Sequence, residues 1–587
     1  MSVVFAWLLV VVRARPLSMK KSSSLSHVLH SFRSLGLALS LLVWVGFSTF
    51  ASGDWKDDIG YTDLVGVLGS SIPTGFGVPI SQVEAGGSSA IYFPNVNDSE
   101  FSFAGDPFGL SVVFTDGSGG QSNGTSSHAT GQAFNIYGNT FSIAPAVTDV
   151  TIYSANGFIS DVLNAPSGGD PIAQDFRVQN HSWIGSFAVD ANNPTTAELN
   201  ADRNTLRRLD YVIDTNEVTA VVGLNNGTAP LPRLLSQSYN AIAVGRSDGI
   251  HSSGLTNLVD YGVGRSKPDL VVPRTSTSTA TSSTSSAATL LHSAVAGSDA
   301  GKSETMKAIL LAGATKAEFP SWSRTTTQPL DDTFGAGELN VYNSYLMTLG
   351  GQTAGSTDAT GTLVETADSY GWDYQTVTPG NDLFYYNFEV PPGSTAGELS
   401  IILAWNVEVT DTNPGSIFSG SESLADLNLE LYDSTPGFLD TRLDKSLSTV
   451  DNVEHIYQQG LGPGTYTLKV SGASARDFGL AWRLNTLFDV ASADFDEDGD
   501  VDGSDFLAWQ RGSGTLLGAS HALGDADGDG DVDAADAAIL SANFGTLLPP
   551  PALASSVPEP ATWALLFFGA LLLPKRCFRM TSERQDG

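Results

Sequence analysis

TSTATSSTSSAATLL, residues 277–291, is the stretch that decides how the chain is interpreted. Every residue before its two leucines is Ser, Thr or Ala, a composition that is also typical of disordered linkers. The flanking sequence favours a folded segment, because KPDLVVP (267–273) is typical of a buried strand and Leu290-Leu291 of a core helix. A helix in the centre of a core needs small side chains where strands lie close to its backbone. We therefore predict a buried helix here.

The composition of the whole chain is that of a globular protein with several domains. Its 587 residues are 41% hydrophobic and 16% charged. The net charge of −34, from 63 acidic and 29 basic residues, makes the chain a poor binder of nucleic acid. Its only cysteine, Cys577, lies in the C-terminal tail, so a mature protein without that tail has neither disulfide bonds nor a cysteine nucleophile.

Strand-like and helix-like segments alternate over 56–350, which predicts an α/β domain with a parallel sheet. SETMKAILLAGATK (303–316) has the period of a helix. Other runs are rich in β-branched and apolar residues, which favours strands. These runs are DVTIYSA (149–155), RRLDYVIDT (207–215), VTAVVGLN (218–225) and AIAVGRSD (241–248).

The pattern changes over 352–486 to short strands separated by Gly/Pro turns. Examples are GELSIILAW (397–405) and GTYTLKVSG (464–472). Such spacing of strands and turns predicts a β-sandwich after the α/β domain.

The N-terminus has the features of a secretory signal peptide. Met19-Lys20-Lys21 begins a basic stretch, residues 35–47 form an apolar core, and small residues near Ala51 fit a cleavage site. We predict a signal peptide over 1–51, with Met19 as an alternative start. A membrane anchor is the other interpretation, although the apolar core is short for a span.

The C-terminus has Pro558-Glu559-Pro560, then a short apolar run at 561–573, then basic residues. The run is too short to span a bilayer comfortably, and the basic residues would hold the tail inside. The stretch 557–580 resembles the PEP-CTERM sorting signal of bacterial exported proteins. That resemblance implies export, temporary membrane retention, processing by an exosortase-type enzyme, and release or attachment at the cell surface.

Two acidic runs have the spacing of calcium-binding loops. DFDEDGDVDGSD (494–505) and DADGDGDVDAAD (525–536) each place Asp at loop positions 1, 3, 5, 7, 9 and 12 and Gly at position 6. Calcium takes six to eight oxygen ligands, and the Gly permits the tight turn. We therefore predict calcium as a cofactor. The predicted ligands are Asp494, Asp496, Asp498, Asp500, Asp505, Asp525, Asp527, Asp529, Asp531 and Asp536.

A short helical pattern follows each acidic loop, and the loops begin 31 residues apart. The segment 489–547 resembles a type I dockerin, which implies a small helical calcium-loop module and a cohesin-like partner. In dockerins, loop positions 10 and 11 help to select the partner. Here Gly503-Ser504 and Ala534-Ala535 occupy them, and such small residues indicate no particular partner. A module that only stabilises the C-terminus is the alternative.

Three motifs precede the Ser/Thr tract in the order of the landmarks of one peptidase family. They are SSHATGQA (126–133), YNAIAVGRSDG (239–249) and GRSKPDLVVP (264–273). Residues from about 70 to 350 resemble subtilisin-like serine peptidases. The resemblance implies an α/β domain with a parallel sheet, a protein or peptide substrate, and hydrolysis through an acyl-enzyme.

Two serines of the tract compete for the role of nucleophile. In that family the nucleophile begins a buried helix and has Leu-Leu about a dozen positions after it. Ser278 follows Thr277 and has Leu290-Leu291 at +12 and +13, whereas Ser285 has them at only +5 and +6. The resemblance favours Ser278, and Ser285 stays open as the alternative.

His128 is the candidate base, because a serine hydroxyl is a weak nucleophile and needs a base within hydrogen-bond reach. Its motif matches the His-Gly-Thr pattern of the family, except that Ala129 replaces Gly. The Asp that orients the base in that family ends the first strand after a Gly-x-Gly-Val turn. Here Glu84 stands at that position, after the turn at Gly75 and Gly77. A Glu keeps the carboxylate but is one methylene longer.

Asn225, in AVVGLNNGTAP (220–230), matches the Asn that stabilises the oxyanion in the family. An Asn-Gly turn is the alternative role for this stretch. The four residues together predict an exported subtilisin-like serine endopeptidase. The departures at Glu84, Ala129 and Ser276 leave open a catalytically inactive surface protein that keeps the fold for binding or scaffold assembly. A purely adhesive protein, in which the sandwich and the calcium module do the work, is a third interpretation.

Overall fold

The computed structural model describes most of the chain between residues 54 and 545. The predicted signal peptide and sorting signal lie outside the described residues, as do Asp498 and Asp529 of the acidic loops. Within the part that is described, no helix combines the length and the apolar character needed to cross a membrane. The described ranges are 54–86, 91–102, 111–119, 124–358, 366–378, 383–391, 394–435, 438–488, 493–496, 500–528 and 530–545.

A seven-stranded parallel sheet forms the centre of the first region. Its strand order is β2-β3-β1-β4-β5-β6-β9, and every pair of neighbours is parallel. The predicted parallel α/β architecture is therefore confirmed. The strands are β1 (Ile80–Glu84), β2 (Val113–Asp116), β3 (Asp149–Ser154), β4 (Val178–His181), β5 (Thr219–Gly223), β6 (Ile242–Arg246) and β9 (Leu270–Val272), with a small ribbon of β7 (Gly254–Leu255) and β8 (Ser266–Lys267).

Helices surround this sheet, because parallel strands need long crossover connections. The helices are α1 (Trp55–Asp58), α2 (Tyr61–Leu68), α3 (Ser127–Tyr137), α4 (Ala155–Gly157), α5 (Thr196–Asn216), α6 (Thr277–Ala294), α7 (Ser303–Gly313) and α8 (Val341–Gly350).

The Ser/Thr tract forms α6, and the prediction of a buried helix is confirmed. Most of its buried hydroxyl groups keep a hydrogen bond, because several donate to carbonyl groups one turn earlier, whereas Ser283 Oγ is buried without a partner among the described residues. Thr281 donates to Thr277 O at 2.8 Å, and Thr289 donates to Ser285 O at 2.7 Å. Small hydroxyl side chains thus let the helix lie in the core, and most of them bond to its own backbone or to neighbouring side chains.

The run at 207–215 is a helix, so its prediction as a strand was wrong. It lies inside α5, whose 21 residues bury Leu206, Leu209 and Ile213 on one face. The helix begins with a capping box in which Thr195 and Glu198 satisfy each other's backbone amides. A run of nine residues is too short to show the helical period, and it does not include this start signal.

Two four-stranded antiparallel sheets follow the α/β region, as the sequence predicts for this part of the chain. Their orders are β10-β19-β12-β17 and β11-β18-β15-β16. Trp405 and Trp482 are among the large side chains buried in their common core. The strands are β10 (Tyr370–Val377), β11 (Leu383–Val390), β12 (Ser394–Ala404), β15 (Leu427–Thr435), β16 (Phe438–Ser446), β17 (Val453–Gln458), β18 (Gly464–Gly472) and β19 (Arg476–Phe488), with a separate hairpin of β13 (Glu408–Asp411) and β14 (Gly420–Ser423).

Helix α7 joins the α/β region to the antiparallel sheets. Every residue of this helix is buried, including its polar ones. The approach to β19 is so close that a Cβ on Gly479 would lie 2.4 Å from the Cα of Thr305. The two regions therefore share one packed interface.

The acidic loops lie before two short helices, α9 (Gly503–Gly512) and α10 (Ala534–Asn543). The core of this segment is small: it is a cluster of Ala493, Phe495, Val501, Ala526 and Leu540, and Val532 is buried as well. Between the loops, Leu517 packs with Leu64 and Leu346 of the α/β region. The segment therefore has little apolar surface of its own to hold it folded.

Candidate active site

A cavity of about 270 Å³ lies where the carboxyl ends of β1, β4 and β5 meet the first turns of α3 and α6. Sites in parallel α/β sheets usually lie at this edge. Three of the predicted residues line it, namely His128, Asn225 and Ser278. The remaining lining residues are Ala85, Ser182, Trp183, Ile184, Gly223, Leu224, Asn226 and Thr277.

Glu84 lies behind His128, at the last position of β1. Its carboxylate is fully buried, and Oε2 lies 2.7 Å from Nδ1 of His128, whose side chain is 48% exposed. This hydrogen bond is the main cause of a raised pKa of His128, and it outweighs the opposing effect of partial burial. The contact fixes one ring nitrogen of the histidine as a hydrogen-bond donor.

The other oxygen of Glu84 is held by Gln82, which the sequence interpretation did not identify. Gln82 Nε2 donates to Glu84 Oε1 and to the carbonyl of Ala129, each at 2.8 Å. Tyr137 in turn donates its hydroxyl to Gln82 Oε1 at 2.6 Å. Both carboxylate oxygens therefore have donors, which fixes the orientation of the longer Glu side chain.

Ser278 is the second residue of α6 and is partly exposed to the cavity. Ser276 caps the start of the helix, because its hydroxyl oxygen accepts from the amide of Thr279 at 3.1 Å. Asn226 Oδ1 accepts from the amide of Thr277 at 2.9 Å, and Thr277 Oγ1 donates to Leu224 O at 2.7 Å. These bonds fasten the first turn of α6 to the turn after β5.

Ser285 lies two turns deeper in α6 and is fully buried. Its hydroxyl donates to Thr281 O and to Asn180 Oδ1, each at 3.0 Å. It does not line the cavity. The structure thus brings Ser278, and not Ser285, to the same cavity as His128.

Asn225 lies in the turn after β5, where its backbone is held from both sides. Its amide donates to Ser252 Oγ, and its carbonyl accepts from the amide of Ser252, each at 3.0 Å. The side chain is partly exposed and lines the cavity. It is therefore available as a hydrogen-bond donor to a molecule in that cavity.

His128 and Ser278 are not hydrogen-bonded to each other in the part of the chain that the structure describes. Instead, Nε2 of His128 lies 3.4 Å from Nε2 of Gln132, one turn later in α3.

The sequence did contain signals for the two supporting glutamines. Gln82 is two residues before Glu84 on one strand face, and Gln132 is four residues after His128 on one helix face. Nothing in the sequence pointed to the bond from Asn226 to the start of α6.

The acidic loops bring carboxylates together in two matching groups. Each group holds the Asp residues at loop positions 1, 3 and 12, with one oxygen of each within 4.8 Å of the others. The position-12 residues also fix the loops, since Asp505 accepts from the amide of Phe495 at 2.6 Å and Asp536 from that of Ala526 at 2.7 Å. A third group combines Asp531 and Asp533 with Asp536. The two position-1, -3 and -12 groups are Asp494, Asp496 and Asp505, and Asp525, Asp527 and Asp536.

Comparison with known proteins gives similarity at the level of structure. No family model matches the chain, and no curated protein matches it. A cold-adapted subtilisin-like serine proteinase is 17% identical and covers 46% of this chain and 88% of its own, with a TM-score of 0.29. The prenylagaramide maturation protease PagA is 16% identical, covers 46% of this chain and 92% of its own, and gives a TM-score of 0.31. The patellamide maturation protease PatG is 13% identical, covers 50% of this chain and 98% of its own, and gives 0.33. Over about half of the chain, its structural neighbours are subtilisin-like serine proteases.

Proposed function

We propose that the protein is an exported subtilisin-like serine endopeptidase. The observation that carries this proposal is the pair of Glu84 and His128, joined at 2.7 Å beside Ser278 in one cavity. The fully buried carboxylate holds a half-exposed imidazole, and this imidazole lines the same cavity as Ser278 at the start of α6. Such an arrangement is that of a nucleophile, a base and an orienting acid.

In this mechanism Ser278 Oγ attacks the carbonyl carbon of a peptide bond. Nε2 of His128 takes the hydroxyl proton, while Nδ1–H keeps its hydrogen bond to Glu84. The imidazolium that forms is stabilised by the buried carboxylate, and it then gives the proton to the leaving amine. The ester left on Ser278 is hydrolysed by water in the same way.

The negative oxygen of the tetrahedral intermediate needs hydrogen-bond donors that are already in place. The side-chain amide of Asn225 lines the same cavity as Ser278 and is the first such donor. The backbone amide of Ser278 is the second, because it donates to no acceptor among the described residues and lies at the positive end of α6. Together they supply two donors from two separate elements.

Hydrolysis of a protein substrate such as casein tests the proposal. The wild-type chain is expected to cleave casein, the Ser278→Ala variant to lose this activity, and the Ser285→Ala variant to keep it. Ser285→Ala is the matched control, because it removes a hydroxyl from the same helix outside the cavity. If no variant and no wild type cleaves any protein substrate, the alternative of a non-catalytic binding or scaffold protein gains.

We also propose that the acidic segment binds two calcium ions as a dockerin-like module. Asp residues at positions 1, 3 and 12 of each loop would hold the ions, with the position-5 side chain and the position-7 carbonyl completing each set. The support is the chemistry of the two carboxylate groups, each gathered within 4.8 Å. The bound cation would neutralise the repulsion within each loop. A cohesin-like partner and attachment at the cell surface through exosortase-type processing belong to the same proposal.

A further inference from the structure

Gln132 lies between the helix that carries the candidate base and the helix that carries the candidate nucleophile. It is nearly fully buried, one turn after His128 in α3. Its Nε2 lies 3.4 Å from Nε2 of His128, and its Oε1 accepts from Ser282 Oγ at 2.6 Å. Ser282 is one turn after Ser278 in α6 and is itself fully buried. A single amide therefore links α3 to α6 directly beneath the two reactive groups.

The hydrogen bonds around this amide determine which way it faces. Nδ1 of His128 lies against the carboxylate of Glu84 and must carry a hydrogen. In neutral His128 the other nitrogen, Nε2, then has a lone pair, which only a donor can approach favourably. With Oε1 held by Ser282, Gln132 directs its NH₂ group to that lone pair. A flipped amide would direct its oxygen to the lone pair, and two acceptors would then face each other. That arrangement is favourable only when Nε2 is protonated and can donate to the oxygen.

The single hydroxyl proton of Ser282 has two acceptors within reach, Gln132 Oε1 at 2.6 Å and Ser278 O at 2.9 Å, and the shorter contact is to Gln132. Ser182 Oγ lies 3.3 Å from Ser282 Oγ, and Asn180 Nδ2 donates to Ser182 Oγ at 3.0 Å. None of these side chains is ionisable. Among the described residues, Glu84 on β1 is the one charged group that faces His128, and the cavity lining is otherwise uncharged. The tautomer of His128, which Glu84 fixes, therefore determines which end of the Gln132 amide faces Nε2, and the short contact with Ser282 agrees with that orientation.

We propose that Gln132 is a positioning residue that occupies the Nε2 lone pair of neutral His128 in the resting protein. Ser278 then gains access to this lone pair only when Gln132 releases it. The contact between the two Nε2 atoms is long for a hydrogen bond, so it orients the imidazole without holding it tightly. The catalytic meaning of this inference rests on the proposed function, but its measurement does not need any turnover.

The nitrogen resonances of His128 in the full chain test this inference. They are observed by NMR with ¹⁵N-labelled histidine, above the pKa of His128, and identified by their loss in a His128→Asn variant. A hydrogen bond to the lone pair of a ring nitrogen shifts its resonance upfield. We expect Gln132→Met to shift the Nε2 resonance downfield, and Ser282→Ala to give a smaller shift of the same sign because it frees the amide. Ser278→Ala, the matched control, should leave the resonance in place.

The opposite pattern overturns the inference. If Ser278→Ala shifts the Nε2 resonance and Gln132→Met does not, Ser278 already holds the lone pair at rest. If Gln132→Met fails to fold, the Ser282→Ala variant decides, and an unshifted resonance in that variant counts against the inference. A protein that shows the expected shifts but cleaves no substrate would contradict the proposed function and leave the role of Gln132 standing.

Discussion

Glu84 and the acidic loops both include buried carboxylates, but these carboxylates have different surroundings. Glu84 is one fully buried carboxylate, and its two oxygens accept from Gln82 and His128. In the first loop, Asp494, Asp496 and Asp505 approach within 4.8 Å of one another. A buried charge is costly unless donors or opposite charges compensate it. Glu84 has donors for both of its oxygens within the fold, whereas each acidic loop gathers several carboxylates, for which we propose a cation as the compensating charge.

The apolar core around Glu84 is also larger than the one around the acidic loops. Glu84 ends a strand at the centre of a large core, which α7 ties to the antiparallel sheets. The acidic segment has one cluster of five buried apolar residues and the contact of Leu517 with the α/β region. The α/β region therefore has a large apolar core, whereas the proposed role of calcium is to supply the folding free energy that the small core of the acidic segment lacks.

The largest effect is expected from removing the charge of Glu84. Glu84→Gln should lower kcat by about ten-thousand-fold, because an amide neither fixes the Nδ1–H tautomer nor stabilises the imidazolium. Glu84→Asp, which keeps the carboxylate, should change kcat only modestly. Both are measured as steady-state rates on a peptide substrate. Equal rates for the Gln variant and the wild type would remove Glu84 from the mechanism.

The second largest effect is expected from removing calcium, which should unfold the acidic segment and leave the rest of the chain folded. The isolated 489–547 segment is expected to gain helix when calcium is added and to lose it with chelator, measured by circular dichroism. Replacing Asp494 and Asp525 with Ala should weaken this response, since each is position 1 of its loop. The 54–488 fragment serves as the control and should keep its spectrum under chelation. A spectrum of the segment that does not change with calcium would show that the loops are not metal sites.

A smaller effect is expected at the interface between α7 of the α/β region and β19 of the antiparallel sheets. Gly479→Ala should lower the free energy of unfolding by about 2–3 kcal/mol, because its Cβ would meet the backbone of Thr305. Gly462→Ala is the matched control, since a Cβ there meets no atom within 4 Å. Denaturant titration of the 54–488 fragment measures both. Equal unfolding midpoints would mean that the interface contributes little.

The pH profile should show the smallest effect. His128 acts as a base only when neutral, and its hydrogen bond to Glu84 raises its pKa above the ordinary value of 6.5. The rate kcat/KM should therefore fall as the pH drops through a midpoint above 6.5, and Glu84→Gln should move this midpoint to lower pH. Residual activity of the Gln variant is followed with a sensitive fluorogenic peptide. If the midpoint stays unchanged in this variant, the loss of activity at low pH does not come from protonation of His128.

Much of the fold followed from patterns in the sequence, because they report local structure. The small residues of α6 and the strands of the parallel sheet had clear signals. RRLDYVIDT was misassigned because its β-branched residues outweighed, in a short window, the period of the longer helix α5. The close approach of Gly479 to Thr305 joins residues that are far apart in sequence, so no local pattern could indicate it.

The candidate site was predictable to a similar extent. Family motifs pointed to Ser278, His128, Glu84 and Asn225, and the structure brings three of them to one cavity with Glu84 directly behind. The supporting residues carry weaker signals. Gln82 and Gln132 have the right spacing, but glutamine at such positions is common on any strand or helix. Only the fold shows that both point at the ends of the Glu84–His128 pair.

The most direct test of the central claim is labelling with a fluorophosphonate probe, which reacts with serines activated by a neighbouring base. The account predicts that the probe labels the wild-type chain, that peptide mapping by mass spectrometry finds the adduct on Ser278, and that Ser278→Ala abolishes labelling while Ser285→Ala does not. An adduct on Ser285, or no adduct on a folded wild-type chain, would contradict it.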